Sequence, residues 1–310
     1  MKELKNGIKI IGLDHGYGNI KTANGIFPAS VVAYDEEPVL TNDMLVYGEK
    51  YYTIGSGHRV FTLDKVSNKD HYILTLAGIA QELWCNKLTS ARVYIAAGLP
   101  LNWVISQRES FRKYLLQNEH VEHKWRGIDY SVDIVGADVY AQGISAVLPE
   151  IKKFTGSNML CDIGNGTMNI MIINDKKPVK DQGFTEKLGT HQCMIKVHDA
   201  LTARFGNKGQ DVITEEILRT GTTQNADSEY IRVVTEGAEA YVAKVMETLH
   251  EHEYDPNTMR LWIVGGGGCI MRNFGNFEKI RVNINPDIHA TAKGYEYLAE
   301  KRLNREVNDG

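Results

Sequence analysis

The chain has 310 residues, 43% of them hydrophobic and 24% charged, which is enough for two globular domains with sizeable apolar cores. Its net charge of −4 argues against direct binding to nucleic acid or to an anionic membrane. Four cysteines without a CxxC pair, no 18-residue apolar run and no N-terminal signal pattern argue against a zinc site, a disulfide framework or a membrane span, and we predict a cytoplasmic protein.

The first half of the chain has the pattern of an α/β domain. Residues 8–13 are mostly apolar, as in a strand buried on both faces, and Asn24-Gly25 predicts a hairpin turn after it. The polar stretch 35–70 predicts strands and loops. Helical spacing of apolar residues over 71–88 predicts a helix. The elements predicted next are a strand at 92–100, a helix at 106–117, a strand at 129–135 and a helix at 137–154.

The second half begins the same pattern again after residue 156. An apolar strand, an aspartate, a glycine turn and a second strand at 168–173 follow one another. The later predictions are helices at 189–205, 211–220 and 228–252, a strand at 261–264, a short helix from about 270, a strand near 280–284 and a helix at 288–305. This restart predicts two duplicated domains, 1–157 and 158–287, with the final helix 288–310 packing back onto the first.

Three apolar strands lead directly into glycine turns. Asp14 precedes Gly16 and Gly18, and Asp162 precedes Gly164 and Gly166 at the same offset. The strand at 261–264 leads into four consecutive glycines at 265–268. A single turn of this kind is usually only a tight hairpin. Three of them favour binding of a polyphosphate through backbone N–H groups, with the two carboxylates holding Mg²⁺.

These turns match a known superfamily. Residues 13–21 (LDHGYGNIK) resemble the first phosphate loop of the actin/Hsp70/sugar-kinase ATPases, 161–170 (CDIGNGTMNI) resemble the second, and 262–270 (WIVGGGGCI) resemble the adenosine loop. Loop order and chain length are similar to the ParM/StbA group of bacterial actin-like proteins. The resemblance implies an α/β fold with two duplicated ribonuclease-H-like domains flanking a nucleotide cleft. The P-loop and dinucleotide motifs are absent from the sequence.

The resemblance also implies roles for individual residues. Asp14 and Asp162 would hold Mg²⁺ through water, and Gln142, on the helix before the second phosphate strand, would position the attacking water. The residues implied to contact the nucleotide are Gly16, Tyr17, Gly18, Asn19 and Lys21 in the first loop, Gly164, Asn165, Gly166 and Thr167 in the second, and Gly265, Gly266 and Gly267 against the adenosine. His15 departs from the family pattern and would either touch phosphate or face solvent.

The function implied by the resemblance is a slow ATP hydrolase whose turnover is coupled to polymerisation, with GTP as the alternative nucleotide. Its partners would be further copies of itself in a filament and a DNA-binding adaptor of ParR type, so that plasmid or phage DNA is segregated without direct contact to nucleic acid or membrane. A small-molecule kinase and an Hsp70-like regulator are the alternatives on this fold. The HEHEYD segment at 250–255 predicts a solvated helix end in preference to a metal site.

Overall fold

The structure is a computed structural model that describes residues 1–39, 43–55, 70–277 and 281–309. The chain divides into two compact units. The first unit comprises Met1–Pro149 and His289–Gly310, and the second comprises Glu150–Ile288. Residues 40–42 and 56–69 of the stretch predicted as strands and loops, and residue 280 of the strand predicted at 280–284, lie outside the described residues.

Strands and helices are numbered in chain order. The strands are β1 (Lys2–Glu3), β2 (Lys9–His15), β3 (Asn19–Lys21), β4 (Ile26–Pro28), β5 (Val31–Tyr34), β6 (Met44–Tyr47), β7 (Lys50–Ile54), β8 (Ser90–Leu99), β9 (His120–Trp125), β10 (Ile128–Ala141), β11 (Ser157–Ile163), β12 (Met168–Asn174), β13 (Lys177–Glu186), β14 (Arg260–Val264) and β15 (Val282–Ile284). The helices are α1 (Asp70–Cys85), α2 (Leu101–Leu115), α3 (Ile144–Val147), α4 (Thr190–Phe205), α5 (Asp211–Thr220), α6 (Ser228–Glu251), α7 (Gly268–Phe274) and α8 (Ala290–Asp309), with a 3₁₀ turn at Leu148–Lys153.

The first unit is built on one mixed sheet with the strand order β4-β3-β2-β8-β10-β9-β6-β7-β5, and β1 pairs with β2. Strands β2, β8 and β10 are parallel neighbours at its centre. Their central apolar residues, such as Ile11, Ile95 and Val132, are fully buried, as expected for strands covered on both faces. Parallel strands end at one edge of the sheet, so the residues after β2, β8 and β10 are neighbours.

The predicted hairpin turn at Asn24-Gly25 is confirmed between β3 and β4. The Thr22 amide donates to the Gly25 carbonyl oxygen at 2.9 Å. The Asn24 amide and side-chain Nδ2 donate to the two carboxylate oxygens of Glu82 on α1, at 2.8 and 2.9 Å. The turn is therefore held to α1 by a charge-assisted pair of hydrogen bonds.

Helix α8 packs on β2 at unusually close range. A Cβ on Gly12 would lie 2.1 Å from the backbone oxygen of Ala292, so only glycine fits there. The Gly12 amide donates to Oε1 of Glu296 at 3.0 Å, and Glu296 is buried. Burial raises the pKa of the Glu296 carboxyl above its ordinary value. A Cβ on Gly294 would likewise lie 1.9 Å from the carbonyl oxygen of Ser145, which is part of α3.

The helix predicted at 137–154 is wrong in its first part. Residues up to Ala141 belong to β10, which pairs in parallel with β8 as far as the partners Ala141 and Leu99. Buried residues alternate along β10, but a register irregularity between Ile134 and Gly136 moves the buried positions from even to odd numbers. This irregularity interrupts the period-two pattern that would have indicated a strand.

The second unit repeats the central arrangement of the first. Its sheet has the order β13-β12-β11-β14-β15, in which β11, β14 and β15 are parallel and β11, β12 and β13 form consecutive antiparallel pairs. The strands β4-β3-β2-β8-β10 of the first unit have the same pattern of directions. The predicted α/β fold with two duplicated domains is thereby confirmed. The sequence pattern did not predict strands β9 and β13.

Buried cysteines in the second unit behave as small apolar side chains. Cys161 on β11 and Cys193 on α4 are fully buried in its core. Burial raises the pKa of the Cys193 thiol to about 12 and also raises that of Cys161. Both thiols therefore stay protonated at neutral pH. Across the described residues, no helix combines the length and the apolar character needed to cross a membrane.

Candidate functional site

The first glycine turn is a short hairpin loop at the end of β2. The β2–β3 ladder ends with two pairs, Asp14 with Lys21 and His15 with Ile20. The loop between the strands therefore consists of residues 16–18. The Gly16 amide donates to the Asp14 carbonyl oxygen at 3.0 Å, and a Cβ on Gly16 would lie 2.7 Å from the Asn19 oxygen. The sharp reversal therefore requires glycine at position 16.

Gln142 lies beside Asp14 because their strands end at the same sheet edge. Gln142 is in the turn after β10, not on a helix as predicted, and its amide donates to the Leu99 carbonyl oxygen at the end of β8. Its side-chain Nε2 donates to Oδ1 of Asp14 at 3.2 Å. Since an ionised carboxylate only accepts hydrogen bonds, this contact fixes the orientation of the amide and leaves its oxygen as the acceptor end.

His15 is buried and does not face solvent. Its Nε2 is 2.9 Å from Oγ1 of Thr75 on α1, and that hydroxyl donates to the His71 carbonyl oxygen at 2.7 Å. Because the Thr75 hydroxyl proton is already donated to His71, the Thr75 oxygen must accept the second bond, and His15 Nε2–H is its donor. The rings of His15 and Phe111 on α2 also pack in a T-shaped arrangement, with their centroids 5.7 Å apart. His15 therefore anchors the start of the first loop to the helices of its own unit.

The second glycine turn is the hairpin loop 164–167 between β11 and β12. Ile163 pairs with Met168, and the Gly164 amide donates to the Thr167 carbonyl oxygen at 2.9 Å. Asn165 is exposed, whereas Asp162 at the end of β11 is partly buried. An aspartate thus stands at the end of a parallel strand, directly before a glycine hairpin, in both units.

The glycines at 265–268 follow β14 and lie against the end of β11, the strand that leads into the second loop. Val264 of β14 pairs with Asp162, and the Gly267 amide donates to the Ile163 carbonyl oxygen at 3.0 Å. Gly265 has a φ of +85°, and a Cβ there would lie 2.5 Å from Oδ1 of Asp162. Within the second unit, the structure therefore brings Asp162 and the Gly265 turn into direct contact.

Sequence reasoning missed Gly189, which packs against the second loop. A Cβ on Gly189 would lie 2.1 Å from the Asn165 carbonyl oxygen and 2.6 Å from the Gly166 carbonyl carbon. The amides of Thr190 and His191, at the start of α4, donate to the carbonyl oxygens of Gly164 and Asn165, both at 2.9 Å. The only signal in the sequence is a glycine before a helix, which is common at helix starts.

The histidines of the segment 250–255 are engaged in contacts within the second unit. His252 Nε2 lies 2.8 Å from Oε1 of Glu186, and its ring stacks on Phe184 at 4.3 Å. His250 Nδ1 lies 2.8 Å from the Tyr254 carbonyl oxygen. In the part of the chain that the structure describes, no three His, Cys, Asp or Glu side chains are grouped as a metal site.

Comparison with known proteins decides the fold family. Residues 12–144 match the family model described as actin like proteins N terminal domain. The archaeal actin homologue Ta0583, solved in complex with ADP, superposes with a TM-score of 0.73 at 22% identity, covering 94% of this chain and 99% of that one. The chain has the actin-like fold.

Further actin-like structures cover almost the whole chain. ParM of Bacillus thuringiensis, solved with ATP, has a TM-score of 0.72 at 15% identity and covers 94% of this chain and 98% of its own. The Alp12 filament structure has a TM-score of 0.68 at 17% identity and covers 96% and 99%. The resemblance to actin-like proteins of ParM type is thereby confirmed at the level of the fold. No curated protein sequence matches the chain significantly.

Proposed function

We propose that this actin-like chain is an ATPase that binds Mg·ATP through its glycine loops and polymerises into filaments. The observation that carries the proposal is the repeated placement of an aspartate at the end of a central parallel strand, Asp14 on β2 and Asp162 on β11, each followed by a glycine hairpin. Such strand ends expose backbone N–H groups at the edge where α/β sheets bind their ligands.

The fold relatives support the same proposal. Ta0583 was solved with ADP, Bacillus thuringiensis ParM with ATP, and Alp12 as a filament. The backbone of these loops is packed so closely that a side chain at position 16 or 265 would collide with a neighbouring oxygen. Glycine loops of this kind let a phosphate approach the backbone, which supports the proposal. ATP is the proposed nucleotide and GTP the alternative.

The oxygen donors at the strand ends fit Mg²⁺. The carboxylates of Asp14 and Asp162 are hard oxygen ligands of the kind that Mg²⁺ prefers, and Mg²⁺ usually keeps several of its waters. Asp14 and Asp162 would hold the ion through such waters. When bound, magnesium would neutralise charge on the phosphates.

Gln142 is proposed to orient the attacking water. Its Nε2 is held by Asp14 at 3.2 Å, so its oxygen can accept a hydrogen bond from water in a fixed direction. A glutamine orients water without acting as a strong base, which favours slow hydrolysis. Slow hydrolysis of this kind would set how long a filament persists before it disassembles.

Replacing Gln142 by alanine should slow ATP hydrolysis roughly 100-fold, the order expected when one positioning group is lost. ATP affinity should change by less than about threefold, because binding rests on the backbone of the glycine loops. Phosphate release at saturating ATP and equilibrium ATP titration measure the two effects. Gln117→Ala, an exposed glutamine in the same unit, is the matched control. Loss of ATP binding in Gln142→Ala would contradict the proposed role.

Polymerisation is tested by light scattering. We expect scattering to rise when Mg·ATP is added above a threshold protein concentration and to stay flat when EDTA removes the metal, because the nucleotide would favour head-to-tail contacts that do not close into a ring. Mg·GTP in place of Mg·ATP tests the nucleotide preference. If no concentration-dependent rise occurs with either nucleotide, the filament proposal fails.

The cellular role proposed for the filament is segregation of plasmid or phage DNA in the cytoplasm through a DNA-binding adaptor of ParR type. The net charge of −4 supports an adaptor, since a protein that binds DNA directly usually carries a basic surface. The filaments from the scattering experiment provide the check. Plasmid DNA should stay in the supernatant when filaments alone are pelleted, and its sedimentation with them would remove the need for an adaptor.

A further inference from the structure

The second phosphate loop is supported from behind by a turn that helix α6 holds in place. The support begins at Tyr241, whose side chain is fully buried on α6. Its hydroxyl donates to the Leu188 carbonyl oxygen at 3.0 Å. Burial raises the pKa of the Tyr241 phenol far above its ordinary value, so the hydroxyl keeps the proton that it donates.

The next step runs from Leu188 to the loop itself. Gly189 follows Leu188 and packs so closely on Asn165 and Gly166 that a Cβ would fall 2.1 Å from the Asn165 oxygen. The amides of Thr190 and His191 then donate to the oxygens of Gly164 and Asn165. The residues 188–191, called here the support turn, thus contact three of the four residues of the second loop.

Helix α6 is itself fixed against α4, which continues from the support turn. A Cβ on Gly237 would lie 3.0 Å from the Val197 Cα, so the two helices pack at backbone distance. Gly237 and Tyr241 are one helical turn apart on the same face of α6. The helix that carries Tyr241 is therefore fixed by this packing, and the Tyr241 hydroxyl is held in place with it.

We infer that Tyr241 is a positioning residue for nucleotide binding, which sets the second phosphate loop through the support turn. The inference rests on the proposed function. The loop carbonyls of Gly164 and Asn165 are held from behind, so the loop is already ordered when a ligand binds to it. Preorganisation of this kind raises affinity by lowering the entropy lost on binding.

The test is Tyr241→Phe, which keeps the ring and removes only the hydroxyl. Tyr230→Phe is the matched control, because Tyr230 is on the same helix and its hydroxyl bonds to Thr214 of α5 at 3.1 Å, away from the loop. We expect ATP affinity to fall about five- to tenfold in Tyr241→Phe, the effect of one lost hydrogen bond, and to stay within twofold of wild type in Tyr230→Phe.

Hydrogen exchange of the nucleotide-free protein separates this inference from the proposed function. Exchange of the Thr190 and His191 amides should become at least about fivefold faster in Tyr241→Phe and stay unchanged in Tyr230→Phe. Unchanged exchange in Tyr241→Phe overturns the inference, as does faster exchange with unchanged ATP affinity. If the wild-type protein binds neither ATP nor GTP, the proposed function fails, while the exchange data still decide whether Tyr241 supports the loop.

Discussion

Replacement of Asp162 by alanine is expected to abolish ATP hydrolysis by the purified protein. Asp162 is the penultimate residue of β11, close to the second loop, and it is one of the two carboxylates proposed to hold Mg²⁺. Loss of a metal-holding carboxylate removes about 4 kcal/mol of charge stabilisation, which corresponds to a roughly thousandfold lower rate. Phosphate release at saturating Mg·ATP measures the effect.

The control for Asp162→Ala removes the same charge elsewhere in the second unit. Asp181 is exposed and has a φ of +62°, a conformation that asparagine tolerates well, so Asp181→Asn should leave hydrolysis unchanged. Circular dichroism should show that both variants are folded. Wild-type turnover in a folded Asp162→Ala protein would refute the role proposed for this aspartate.

Replacement of Gly265 by alanine is expected to destabilise the second unit by about 3 kcal/mol. A non-glycine residue at a φ of +85° is strained, and the added Cβ would lie 2.6 Å from the Ile163 carbonyl oxygen. For a domain of this size, the loss lowers the melting temperature by roughly 10 °C. Thermal unfolding followed by circular dichroism or calorimetry measures the change.

The neighbouring glycine supplies the matched control. A Cβ on Gly266 would meet nothing within 4 Å, and its φ lies outside the left-handed region. Gly266→Ala should therefore melt within about 2 °C of wild type. Equal stability of the two alanine variants would show that the tight packing of Gly265 on Ile163 and Asp162 does not contribute to stability.

The glycine turns were predictable because each is encoded by consecutive residues. An apolar strand, an aspartate and a Gly-x-Gly define a strand end and a hairpin locally, and the structure has hairpins at 16–18 and 164–167. The duplicated fold followed from the same local pattern appearing twice. The roles assigned to Asp14, Asp162 and the loop glycines stay predictions, which the variants above test.

Contacts between distant residues could not be predicted in this way. The bond from Gln142 to Asp14 joins residues 128 positions apart, and it depends on β8 lying between β2 and β10. The bond from Tyr241 to Leu188 spans 53 positions and depends on α4 and α6 packing at backbone distance. Such contacts depend on strand order and helix packing, which a motif of consecutive residues does not determine.

The contact between Gly12 and Glu296 has a consequence for synthesis of the chain. These residues are 284 positions apart, and helix α8 covers β2, the strand that carries Asp14. During translation, β2 is made before the second unit and its covering helix is made after it, because every residue of the second unit lies between them in the chain. The first unit is therefore completed only after the second unit has been made, and its central strand is open to mispairing or chaperone binding until α8 covers it.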